Sequence, residues 1–132
     1  MSATPPADAV CWFEIPVLDL DRAERFYQAV LGCTFTREAS ATGDAGVTLA
    51  MFGSRDGERP PLCGCLIEGT PLKPSAEGVT IYFNTADMAG LLERAVAAGG
   101  SLLVPRTAIG PYGFFAHILD SEGNRVGLHS LS

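Results

Sequence analysis

Glu14 and His129 are of the types needed to move a proton, because imidazole titrates near neutrality and a half-buried carboxylate can be raised towards it. Together they could act as a catalytic acid–base pair. The same residues have a plainer use, in which His129 hydrogen-bonds Glu14 or Tyr82 to satisfy a buried polar layer. Trp12 and Tyr82 add an indole and a phenol, apolar bodies with polar tips of the kind expected in ligand clefts. Arg106 lies in a Pro- and Gly-rich stretch, 105–113 (PRTAIGPYG). There it could form part of a cleft mouth and offer a fork to a carboxylate or phosphate. An ordinary hairpin connection with a solvated arginine explains it equally well. His117 alternates with Phe115 and Leu119, which suggests a packed face or a strand edge, and the pattern leaves its direction open.

The four cysteines, at 11, 33, 63 and 65, do not form a metal or redox motif. Cys63 and Cys65 make C-x-C, whereas zinc and dithiol sites close with C-x-x-C. Two residues apart on a strand they point the same way, and both are expected to be buried and reduced. No G-x-G-x-x-G, Walker or G-x-S-x-G pattern occurs.

The elements that must position these residues come in a repeated order. Val10 to Val17 (VCWFEIPV) has strand composition. Leu20, Ala23, Tyr27, Val30 and Leu31 then recur at helical spacing, with Asp19 suited to cap the helix and Gly32 to stop it. Strands are expected at 33–38, 46–53 and 61–68, separated by turn residues over 39–45 and 54–60. A linker over 69–77 (GTPLKPSAE) follows. The order then begins again with a strand over 79–85. A helix follows with Met88, Leu91, Leu92, Ala95 and Val96 on one face, then strands at 101–106, 112–119 and 125–131. A single offset of 68 residues carries Asp19 onto Asp87, Leu20 onto Met88 and Gly32 onto Gly100. An internal duplication is the economical explanation.

The same offset assigns faces. Phe13 and Ile15 match Ile81 and Phe83 and should lie under the helices, so the alternate positions must point the other way. Those positions are Trp12 and Glu14 in the first half, Thr80 and Tyr82 in the second. A face carrying an indole, an acid, a hydroxyl and a phenol is either a ligand cleft or a wet sheet surface.

Composition narrows the function classes. A chain of 132 residues allows one domain, and 47% hydrophobic with 18% charged residues describes a well-packed globule. A formal net charge of -6 argues against nucleic acid and anionic membrane surfaces as partners. No apolar run approaches the roughly 20 residues of a spanning helix. Residues 1–9 read as a flexible leader without signal-peptide features, and a cytoplasmic location is expected.

The segment FEIPVLDLDRAERFYQAVLG resembles the opening of a vicinal-oxygen-chelate (glyoxalase/bleomycin-resistance) domain. FFAHILDSEGNRVGLHS resembles the D-x-(D/E)-G-N close of its second module, and the likeness covers about residues 10 to 131. The resemblance implies an α+β fold of two tandem βαβββ modules, about 10–68 and 78–131, forming a curved mixed sheet around a cleft with helices outside. It also implies frequent pairing with a second chain.

In metal-using members, His, Gln or Glu on the first and last strand of each module bind the ion. Carried over, those positions are Trp12, near Gly64, Thr80 and Gly127. None is a competent ligand for iron or zinc. By the same alternation His129, two residues past Gly127, shares the cleft face.

The expected function is therefore metal-independent binding of a small molecule, with no cofactor, in a homodimer. Trp12, Glu14, Thr80, Tyr82, Arg106 and His129 would be the ligand contacts. The alternative is a lyase or isomerase working through Glu14 and His129 or through a relocated metal site. A purely sequestering role would need an exposed apolar surface.

Overall fold

In a computed structural model of the chain, which describes residues 6–7, 9–40, 43–53 and 63–132, the βαβββ order occurs twice. The first module comprises β1 (Phe13–Val17), α1 (Leu20–Leu31), β2 (Thr34–Ala39), β3 (Thr48–Gly53) and β4 (Gly64–Glu68). The second comprises β5 (Tyr82–Asn84), α2 (Met88–Ala97), β6 (Ser101–Ala108), a short 3-10 turn (Gly110–Tyr112), β7 (Phe114–Leu119) and β8 (Arg125–Ser130). The leader expected over 1–9, the turn over 54–60 and the first residues of the strand expected at 61–68 fall wholly or partly outside the described residues.

Each module makes one four-stranded sheet, ordered β1-β4-β3-β2 and β5-β8-β7-β6. The first and last strands of a module pair in parallel, and the other neighbours are antiparallel. One difference from expectation matters for the site. β6 runs on to Ala108, so Arg106 belongs to a strand and not to a loop over a cleft mouth.

Both helices start as their sequences require. The Asp19 carboxylate accepts from the Arg22 N–H, and Asp87 does the same for Gly90. Gly32 ends α1 at φ 70, its N–H donating to the Gln28 carbonyl. In α2 the left-handed residue is Gly99, at φ +103, one position before the glycine that the offset of 68 selects. Gly100 is needed for close approach instead. A Cβ there would lie 2.6 Å from the Leu119 carbonyl oxygen and 2.8 Å from the Phe26 ring.

The helices bury one continuous core shared by both modules. Leu20, Phe26, Tyr27 and Val30 from α1 and Met88, Leu91 and Ala95 from α2 meet Ile15, Phe52, Leu66, Phe83, Ile118 and Leu128 from the sheets. Phe13 and Ile81 pack against it, as the face assignment requires. Val96, expected on the buried face of α2, is 55% exposed.

The turn between β7 and β8 locks the modules together. The Glu122 carboxylate accepts from the Leu18 and Asp19 N–H groups, both at 2.9 Å, and from Arg22 Nε at 2.6 Å and Nη2 at 2.9 Å. The Tyr27 hydroxyl donates to Asp120 Oδ2 at 2.6 Å, and the Asn124 amide donates to the Pro16 carbonyl at 2.9 Å. Burial by itself would raise the Glu122 carboxyl. The hydrogen bonds from Arg22, Asp19, Leu18 and Ser121 outweigh it and hold the group at about 2.

Candidate functional site

Strand alternation puts Tyr82, Phe115, His117, Arg125, Gly127 and His129 on the face of the second sheet that turns away from the helices. The opposite set, Phe83, Ala116, Ile118, Val126 and Leu128, lies in the core. Tyr82 and His117 both stand opposite Gly127, from strands on its two sides, and Phe115 stands opposite His129. The Tyr82 ring lies flat over Gly127, since a Cβ there would come within 2.4 Å of it. Above this floor is an open hollow of about 450 Å³ lined by Tyr82, Ile109, Phe115 and His129.

The polar contacts under the hollow form a chain. The Tyr82 hydroxyl is 2.6 Å from His117 Nε2, and Arg125 Nη1 donates to His117 Nδ1 at 2.9 Å. Arg125 is itself anchored by its Nε, which donates to the Ala76 carbonyl at 2.9 Å. Burial and the neighbouring Arg125 charge lower the His117 pKa, which favours the neutral ring. His129 Nε2 is 2.7 Å from the Tyr112 carbonyl oxygen, and its Nδ1 is 3.4 Å from Asn84 Oδ1. Both histidines of the chain therefore belong to this one sheet face.

The first module presents different chemistry. The Trp12 indole donates to Glu14 Oε2 at 3.4 Å, and Trp12 is 42% exposed. Glu14 joins Asp44, Leu49, Ile67 and Thr70 around a separate hollow of about 600 Å³. Cys65 stands beside Glu14 in the parallel register and is fully buried. Burial, and next the Glu14 charge, push its thiol up to about 11. Cys63 is exposed, contrary to the expectation that both residues of C-x-C are buried.

Several site assignments are corrected by this geometry. Glu14 and His129 line different hollows and each has its own partners, so they are not brought together as an acid–base pair. The partner of Tyr82 is His117 and not His129. Gly64 faces the helices, because a Cβ there would enter the Phe13 ring, and the residue turned the other way is Cys65. Thr80 precedes β5 and is half-buried. The Arg106 guanidinium stacks over the Phe114 ring at 3.6 Å, beside a residue that packs on the core. Arg106 is not among the residues lining either hollow.

His117, whose direction the sequence left open, and Arg125, which it did not single out, are the polar partners that the structure adds beside Tyr82. A signal existed: the hairpin closed by Asp120 and Asn124 pairs Leu119 with Arg125, and hence His117 with Gly127. Counting back from that turn would have given His117 its face.

The residues do not fit the metal that the fold suggests. The carried-over positions turned away from the helices hold an indole, a lone hydroxyl and a glycine, with the buried Cys65 thiol, pushed up to about 11, in the place first given to Gly64, and the space beside Gly127 is taken by the Tyr82 ring. Among the described residues, no group of three or more His, Cys, Asp or Glu is placed to hold a metal ion. Nor is any helix among them long and apolar enough to cross a membrane.

The profile of the Glyoxalase/Bleomycin resistance protein/Dioxygenase superfamily matches residues 9–128. A glyoxylase-like domain-containing protein of Didymella fabae is 29% identical over 112 residues, 84% of each chain. A glyoxalase I variant from Zea mays superposes with a TM-score of 0.70 at 20% identity, over 93% of this chain and 46% of the maize chain. The present chain thus spans about half the length of that protein. A glyoxylase/bleomycin resistance protein/dioxygenase domain from a Frankia species gives a TM-score of 0.68 at 19% identity, over 92% of this chain and 95% of that one. The likeness to these structures is one of fold. The chain belongs to the Glyoxalase/Bleomycin resistance protein/Dioxygenase superfamily.

Proposed function

We propose that this chain is a metal-independent small-molecule-binding member of the superfamily, and that its ligand enters the hollow over β5, β7 and β8. The observation that supports this reading most is the construction of that hollow. Ile109 and Phe115 supply apolar wall, and the Tyr82 hydroxyl and the His129 ring supply a few placed polar groups. The reading extends to a cytoplasmic homodimer, in which a second copy would make up the length that a maize glyoxalase I chain has alone.

The test is a titration of the isotope-labelled protein with small aromatic ketones and phenols, followed by NMR. Resonances of Ile109, Phe115 and His129 are expected to move first, and Phe115→Ala should weaken binding by about tenfold through lost apolar contact. Perturbations centred on Glu14 and Leu49 would move the site to the other hollow. Trp12 is the only tryptophan and lies outside the lining, so its emission should change little when the proposed hollow fills. Stoichiometric iron, zinc or nickel in the purified protein would overturn the metal-independent reading. Sedimentation as a single chain at micromolar concentration would overturn the dimer.

A further inference from the structure

We propose that Arg125 and His117 hold Tyr82 as a one-way hydrogen-bond donor, so that the hollow selects a small, largely apolar molecule carrying a carbonyl-type acceptor oxygen. This rests on the reading of the hollow as the ligand site and specifies what that site takes.

The argument follows from which groups can donate. Arginine carries only N–H groups and stays protonated, so the nitrogen it meets must present a lone pair. Arg125 Nη1 stands 2.9 Å from His117 Nδ1, which makes Nδ1 the acceptor and leaves the proton of a neutral ring on Nε2. That Nε2–H points at the Tyr82 oxygen 2.6 Å away. The phenol oxygen therefore accepts from His117, and its own hydrogen has to be directed elsewhere. Tyr82 is half exposed and lines the hollow, so the free direction leads into it.

The opposite arrangement, with Tyr82 donating to Nε2, would put a proton on Nδ1 facing the Arg125 N–H. Two donors would then meet at hydrogen-bond distance. An imidazolium brings the same clash and adds like charge.

His129 does not offset this polarity. Its Nε2–H is used by the Tyr112 carbonyl, so His129 adds no second donor to the hollow, and its Nδ1 faces the Asn84 side-chain amide at 3.4 Å. Ile109 and Phe115 offer no polar side chain. A ligand with an acceptor oxygen completes the arrangement. One of the same shape with no acceptor leaves the Tyr82 hydroxyl without a partner once water is displaced.

Arg125 and His117 act through Tyr82 and are positioning residues. Gly127 has a part in this as well, because its missing side chain lets the Tyr82 ring lie across β8 within reach of His117 on β7.

The experiment compares acetophenone with 2-phenylpropene, which has nearly the same shape and no acceptor, as probes of the wild-type protein. Acetophenone should bind about tenfold more tightly, the size of one neutral hydrogen bond. Tyr82→Phe should bring the two probes to near parity. Arg125→Met should reduce the preference, and Arg125→Lys, which keeps a donor, should retain most of it. Nitrogen-15 NMR of the wild-type side chains at pH 7 reads the arrangement without a ligand. His117 should show a protonated Nε2 and an unprotonated Nδ1, and the shift pattern should change in Arg125→Met.

A protonated Nδ1 overturns the inference. So does equal affinity for the two probes, which would leave the hollow standing as a binding site. Failure of both probes to bind overturns the ligand class together with the site itself.

Discussion

Replacing Glu122 with alanine is expected to destabilise the protein by about 3 kcal/mol in urea unfolding, with the slope of the transition unchanged. The side chain is fully buried. Its loss leaves the Leu18 and Asp19 N–H groups at the start of α1 without acceptors and removes both bonds from Arg22. Arg22 is partly exposed, so water recovers some of the cost on that side and the loss stays below that of a fully enclosed ion pair.

The same residue makes the stability depend on pH in a definite direction. Its carboxyl sits at about 2 in the folded protein, against 4.5 as the ordinary value. A depressed carboxylate adds stability that is complete above about 4.5 and is lost as the pH falls towards 2. Glu122→Gln should therefore lie well below wild type at pH 7 and approach it by pH 2.5. A gap of constant size across that range would show that the charge of Glu122 contributes nothing to folding.

The features legible in the sequence were those imposed by backbone geometry. Asp19, Asp87 and Gly32 announce helix ends because few residue types satisfy the open N–H groups or accept a left-handed backbone. The alternation Phe13–Ile15 against Trp12–Glu14 gave the faces correctly, since a strand offers only two. The assignments failed wherever a residue's direction depended on register that local sequence does not carry. Gly64 was taken for a cleft position because β4 has no cap or turn to count from, and a slip of one residue exchanges the two faces. Gly99 replaced Gly100 for a similar reason, since α2 ends at Ala97, two residues earlier than a fixed offset allows.

The site was harder to read because its parts are far apart along the chain. Tyr82 meets His117 across 35 residues, and the Arg22 contact to Glu122 spans 100. Residue type alone made His129 the obvious partner for a titratable neighbour. The pairing of β7 with β8 gave that place at Tyr82 to His117. Arg106 was misplaced by a different cause. Its Pro- and Gly-rich surroundings suggested a loop, but β6 takes up its bulges around Val104 and continues through Thr107. A guanidinium next to an aromatic ring then found its partner in Phe114.

Phe52→Ala is the second large effect, and it tests whether the two modules are one cooperative unit. Phe52 is 1% exposed, and its ring lies 5.5 Å from Phe13, 5.6 Å from Tyr27, 4.8 Å from Phe35 and 6.0 Å from Phe83, centroid to centroid. The first three belong to the first module, and Phe83 belongs to the second. Truncation should cost about 3–5 kcal/mol, the range for a buried aromatic whose space cannot collapse. Phe52→Leu should cost less than half of that.

Because Phe52 and Phe83 touch across the modules, their double-mutant cycle should give a coupling of about 1 kcal/mol beyond additivity. Far-UV and near-UV signals should still fall in one transition for the single variants, since no module keeps a core of its own once the shared aromatic cluster opens. Two separate transitions in Phe52→Ala, with the second module melting last, would show that each βαβββ unit folds independently. The interface bonds of Glu122 would then add to docking of the modules rather than to folding.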